Sequence, residues 1–357
     1  MTKTRIFYYD VLRLMAIIGI IFCHTALQYV IADMGTFNFY VSSFYDCFRD
    51  FCIPIFVMLS GALLLNKKDT LGSFLKRRFS RIFVPFLFWV LIYIIYSAIF
   101  VKGSFEISYA FDIFLGKGGT LGVAFWFIWM IIIVYIAIFI INWIAEKFNF
   151  SSRFFDVLAA LSVIFILMQQ FGLISVGREF SLIYYYVSFI NYAVIGYYLS
   201  RNSYLDRIIG LKGAVILTFI MSFGLYLYYI CGYVVPQSMS AARFTYLGYF
   251  TVIILLISSG IFVMFKYLDR TDLSSKIRDS EYGKAIAVLS QFSYGIFLTH
   301  YMILHILKMH INSFIPLLTL NSIVAIPALV FLTFIVSLLI LLVLNKIPYL
   351  DMVTGKN

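Results

Sequence analysis

The sequence predicts an all-α protein, a polytopic transmembrane helix bundle of about ten spans with both termini cytoplasmic. Three observations lead there. Of the 357 residues, 63% are hydrophobic and only 12% are charged. Apolar runs near twenty residues recur along the whole chain, each long enough at 1.5 Å per residue to cross about 30 Å of hydrocarbon. The lysines and arginines collect in alternate inter-span segments, as the positive-inside rule requires of cytoplasmic loops.

In chain order the runs fall at 7–30, 43–66, 79–101, 122–145, 155–174, 182–200, 211–233, 245–267, 285–307 and 316–345. Gln169, Gln170 and Asn191 interrupt the fifth and sixth. With a cytoplasmic N-terminus, 20 of the 27 basic residues lie in inside segments or near the inner ends of spans, six lie in outside segments or near outer ends, and Arg13 completes the count within the first span. The same distribution explains the net charge of +11 as topology and attraction to anionic lipid, so no nucleic-acid partner is expected. No second domain, repeat or low-complexity tract is visible, and residues 1–357 read as one integral membrane domain. The first span is not a cleaved signal, because Asp10, Arg13 and His24 interrupt it and no small-residue cleavage site follows. Cys23, Cys47, Cys52 and Cys231 form no CxxC or His/Cys cluster. Neither a disulfide framework nor a metal site is expected.

Chemistry is expected where charge enters the membrane. Asp10 and His24 are fourteen residues apart, which leaves them about 40° apart around a helix and about 21 Å along it. Arg13 and His24 differ by about 20°. One helix therefore presents a polar stripe, read either as a working site or as an i,i+3 Asp10–Arg13 lock with a satisfied histidine. Arg78 and Arg81, in Lys76-Arg77-Arg78-Phe79-Ser80-Arg81 before Pro85, read either as a topology anchor or as two forks for one phosphate. Ser60-Gly61 reads as close helix packing rather than as a nucleophile. Phe125-Trp126-Phe127-Ile128-Trp129 reads as an interfacial aromatic belt continuing into the core. His300, in Ser293-Tyr294-Gly295-Ile296-Phe297-Leu298-Thr299-His300, is a second imidazole at a depth similar to that of His24. His305 and His310 read as ordinary interface residues.

Taken together, these residues resemble acyltransferase family three, membrane proteins that acylate polysaccharides, lipid-linked sugars and related acceptors. The resemblance spans nearly the whole chain. It rests on Asp10-x-x-Arg13 with His24, Ser60-Gly61, Arg78-x-x-Arg81 before Pro85 and Phe125-Trp126-Phe127. It continues through Phe189 to Arg201 with Gly196-Tyr197-Tyr198, and ends with Ser293-Tyr294-Gly295 leading to His300. It implies transfer of an acyl group, acetyl in the commonest case, from cytoplasmic acyl-coenzyme A to a hydroxyl of a cell-surface glycan or lipid-linked sugar. It also implies a bacterial plasma-membrane location, with His24 catalytic, Asp10 and Arg13 supporting it, and Arg78 and Arg81 binding coenzyme A. Two departures stand out. Many members carry a histidine where Ala124 stands, and no appended soluble domain follows, so this is expected to be a stand-alone member. An imidazole suits general-base activation of a hydroxyl, while Arg13 or His300 are candidates to stabilise the anionic intermediate. The competing class is a proton-coupled secondary transporter or flippase, since Asp-Arg-His stripes also serve proton relays. Transporters are expected to show repeat symmetry and paired broken helices, which the sequence does not display.

Overall fold

The computed structural model describes residues 5–32, 36–174, 180–202, 204–234, 248–311 and 321–356. Among these the chain is helical and has no strand. The helices are α1 (Phe7–Ala32), α2 (Phe37–Asp46), α3 (Arg49–Leu64), α4 (Leu71–Tyr96), α5 (Ile107–Leu115), α6 (Trp126–Lys147), α7 (Ser152–Gln170) and α8 (Ser181–Ser188). They continue as α9 (Ile190–Arg201), α10 (Tyr204–Val234, broken at Gly210), α11 (Val252–Leu268), α12 (Asp272–Asp279), α13 (Glu281–Gln291), α14 (Ser293–Ile306) and α15 (Ser322–Leu344). Threonine hydroxyls start four of them. Thr36, Thr70, Thr251 and Thr271 each accept a hydrogen bond from the backbone N–H three residues on, which satisfies a donor the helix itself leaves open.

Seven helical stretches among the described residues, two of them joining α2 with α3 and α8 with α9, are long and apolar enough to span a membrane. Two bent pairs, α11 with α12 (78°) and α13 with α14 and its extension (67°), raise the number to nine if each is one span. Lys212–Leu227 is apolar but shorter. Each of the ten expected runs thus overlaps a helix, and ten is an approximate count of spans. From the charge count, Lys3, Arg178 and Arg243 lie outside the described residues, as do 245–247 and 316–320 of the expected spans. The side chains of Arg49, Arg77, Arg207, Cys231 and His310 are likewise outside them.

The chain divides into two compact units, residues 1–68 with 133–288, and residues 69–132 with 289–357. In the first unit α3 and α9 cross at a reciprocal pair of glycines. A Cβ on Gly61 would overlap the Ala193 carbonyl, and one on Gly196 would overlap that of Met58. Such close backbone approach is how helices associate where lipid removes the hydrophobic drive. Ser60 beside it donates to its own Phe56 carbonyl (3.0 Å), so Ser60-Gly61 is a packing element, as expected. Each polar residue that interrupts the fifth and sixth spans makes at least one internal hydrogen bond. Gln169 Nε2 donates to Ser188 Oγ (2.9 Å), Asn191 Nδ2 to the Ser188 carbonyl (2.8 Å), and Gln170 Oε1 accepts from the Val252 N–H (2.7 Å). Polar groups without partners in hydrocarbon would cost several kcal/mol each.

The second unit is built on aromatic packing around α4. Phe125 is fully buried, 4.8 Å from Tyr93 and 5.4 Å from Phe86 between ring centroids, and Phe127 lies 4.9 Å from Phe297. Trp129 Nε1 donates to the Phe114 carbonyl (3.0 Å). Phe125 and Phe127 thus belong to the protein core, into which the aromatic stretch is expected to continue. Hydropathy marks aromatic residues as membrane-compatible without saying which face is lined by protein.

Candidate functional site

In the first unit α1 runs without interruption from Phe7 to Ala32, so the polar stripe is real as helix geometry. Its two ends are different places. Asp10 is 2% exposed, and both its oxygens are engaged: Oδ2 by Arg5 Nε and Oδ1 by Arg13 Nη1 at 3.3 Å. Arg5 also donates to the Ala287 carbonyl. Tyr9 and Tyr135 stand close enough to act on the Arg13 charge. The i,i+3 pair expected from spacing is present, and a second guanidinium, Arg5, which precedes the first span among the inside basic residues, joins it. Its signal was only that it precedes a helix opening with a carboxylate, a favourable place for negative charge. A carboxylate held by two arginines is a charge lock, with its lone pairs committed.

His24 lies about 21 Å further along the axis and is half-exposed. The structure does not bring it to Asp10 or Arg13. One turn below it, α1 meets the junction of α2 and α3. Phe22 stacks on Tyr45 (5.1 Å) and meets Phe48 edge-on (5.9 Å), while Gly19 leaves room for Cys52 Sγ. That junction carries two buried carboxylates, Asp46 and Asp50 (0% and 2% exposed), which the sequence reading passed over. The rule that finds ionisable groups inside spans applies to them as well as to Asp10.

In the second unit Arg81, exposed near the middle of α4, lines an open cleft of about 390 Å³ with Ser80, Asn345, Asp351, Met352, Gly355 and Lys356. Arg78 is half-buried and is not among the lining residues. The two arginines therefore do not both face this cleft. His300 on α14 is fully buried, and its Nδ1 lies 2.6 Å from the Phe297 carbonyl. A carbonyl only accepts, so Nδ1 carries the proton and a neutral His300 offers Nε2 as an acceptor. In that form it is suited to take a proton, not to donate to an oxyanion. His305, expected to be an ordinary interface residue, has its Nδ1 3.1 Å from the Tyr96 hydroxyl. Both partners precede a π-helical turn, Ser97–Val101 and Leu307–Ile311.

A family model described as an acyltransferase domain matches residues 6–342. No curated protein and no solved structure matches the chain.

Proposed function

Because the chain belongs to acyltransferase family 3 and is a multi-pass membrane acyltransferase, we propose that it moves an acetyl group from cytoplasmic acetyl-coenzyme A to a hydroxyl of a cell-surface glycan or lipid-linked sugar, in a bacterial plasma membrane. The observation that carries this reading is His24, a half-exposed imidazole on an unbroken apolar helix whose Asp10 and Arg13 are already paired with charge. Such an imidazole is the accessible base of α1.

In this reading the His24 imidazole takes the proton of the acceptor hydroxyl as that oxygen bonds to the thioester carbonyl carbon. The tetrahedral intermediate collapses, the carbon–sulfur bond breaks, and the proton passes to the departing sulfur. An O-acetyl ester and free coenzyme A result, with no net proton change. Arg13 lies about 17 Å from His24 along α1 and is bonded to Asp10, so its role is to hold the charge lock rather than to receive the oxyanion. Arg81 supplies positive charge for the donor's phosphates. His300 is the alternative base.

The test is transfer of radiolabel from acetyl-coenzyme A to glycan lipids by protein in nanodiscs. The wild type is expected to label the acceptor. His24→Ala is expected to lower the rate about 10²–10⁴-fold, with donor affinity and thermal midpoint unchanged. Near-normal transfer in His24→Ala with none in His300→Ala would move the base to α14. Acceptor movement across the bilayer without coenzyme A would instead support a transporter.

A further inference from the structure

The cleft over Arg81 is walled by the segment after α15, residues 345–356, which is fastened at several points. Val353 and Thr354 are buried. Trp89 Nε1 on α4 donates to the Val353 carbonyl (3.1 Å). The Thr354 carbonyl occupies the space a Cβ on Gly295 would need, which explains physically why Ser293-Tyr294-Gly295 has its glycine. Tyr294 in turn donates to the Ile82 carbonyl (2.7 Å), one residue past Arg81. Thr354 Oγ1 donates to the Asp351 carbonyl (2.6 Å) and accepts from the Lys356 N–H (3.4 Å). Gly355 reverses the chain at φ +65°, in the left-handed region that glycine adopts at little cost. The Lys356 ammonium then lies 5.6 Å from the centroid of the Phe292 ring, a cation–π contact that limits its wandering. Both Arg81 and Lys356 line the cleft.

We propose that Lys356, not Arg78, is the second cation of an anion site whose first is Arg81, and that this site takes a phosphate group of coenzyme A. The proposal rests on the acyl-coenzyme A reading above. The cleft's volume falls within the usual range of small-molecule sites, about 300–1,000 Å³. Its polar lining decides the sign. Arg81 and Lys356 outweigh Asp351 by one formal charge. Ser80 donates its hydroxyl to the Lys76 carbonyl (2.7 Å) and so contributes no donor, while the Asn345 amide can contribute one. A fastened lysine loses less freedom on binding than a mobile one, which favours affinity. Lipid headgroups carry the same phosphate chemistry, so the test separates the two sources.

The experiment is equilibrium binding of coenzyme A to the full chain in nanodiscs of zwitterionic lipid, repeated with phosphatidylglycerol added. Lys356→Ala is expected to weaken coenzyme A binding about fivefold to tenfold, Lys356→Arg to restore most of it, and Arg78→Ala to stay within about twofold. Asp351→Asn is expected to tighten binding about twofold to threefold. Trp89→Phe, which unfastens the wall with every charge intact, is expected to weaken binding much as Lys356→Ala does. Weakened binding in Arg81→Ala with none in Lys356→Ala would overturn the role of Lys356 and leave the donor reading standing. A loss in Arg78→Ala as large as in Arg81→Ala would overturn it equally. A Lys356→Ala effect confined to phosphatidylglycerol retention would assign the cleft to lipid. A wild type that binds no coenzyme A would remove the donor reading and this proposal together.

Discussion

The Asp10 cluster and the Arg81 cleft both set two cations beside one carboxylate: Arg5 and Arg13 with Asp10, and Arg81 and Lys356 with Asp351. In sequence they are equivalent, each a basic surplus near the end of an apolar run. In structure they are opposites. Asp10 is buried and bonded to both arginines, whereas Asp351, Arg81 and Lys356 are exposed around open space. Burial makes an unpaired charge costly, so the first cluster is closed by mutual compensation. Exposure lets water compensate the second, so its cations remain available to an incoming anion. One arrangement holds a helix, and the other can hold a ligand.

The largest expected effect breaks the closed cluster. Asp10→Asn leaves Arg5 and Arg13 (41% and 23% exposed) without their carboxylate. We expect a loss of about 2 kcal/mol, below the full cost of breaking a buried pair because water reaches both arginines. An unchanged unfolding midpoint would mean that the cluster is no lock. The next effect lies in the open cleft. Arg81→Ala should leave the midpoint alone, as exposed substitutions do, and weaken coenzyme A binding about tenfold at low salt. That penalty should shrink at about 0.5 M salt as the charges are screened, and a salt-independent penalty would argue for a buried contact instead. The smallest effect sharpens the first comparison. Arg5→Gln keeps Asp10 paired with Arg13, so its cost should stay below about 1 kcal/mol. A loss as large as that of Asp10→Asn would make Arg5 the principal partner.

Features carried by residues close in sequence are legible in the chain alone. The Asp10–Arg13 pair follows from helical spacing, and Ser60-Gly61 follows from the small size of its side chains among bulky ones. Polar interruptions made 155–174 and 182–200 look poor as spans, yet both regions are helical. Gln169, Gln170 and Asn191 find partners on α8 and α11 that composition does not name. Asp46 and Asp50 fall inside an expected span, and only the fold shows that both are buried where α1 meets α2 and α3. Nothing local links Arg81 to Lys356. Their meeting depends on Trp89, Gly295 and Gly355 holding a distant segment in place.

By itself the sequence determined the class of fold, the approximate number and position of the spans, and the family, because apolar length and motif order are properties of the chain alone. Tertiary structure decided which apolar face is core and which charges are closed or open. It made Phe125 and Phe127 interior packing, set α3 against α9 at Gly61 and Gly196, and separated Arg78 from the cleft that Arg81 lines. The physical reason is the solvent. In water, burial writes an alternation of polar and apolar residues into the sequence. In a bilayer both the lipid-facing and the protein-facing sides of a helix are apolar, so the pattern records that a helix spans and leaves its neighbours to be settled by packing.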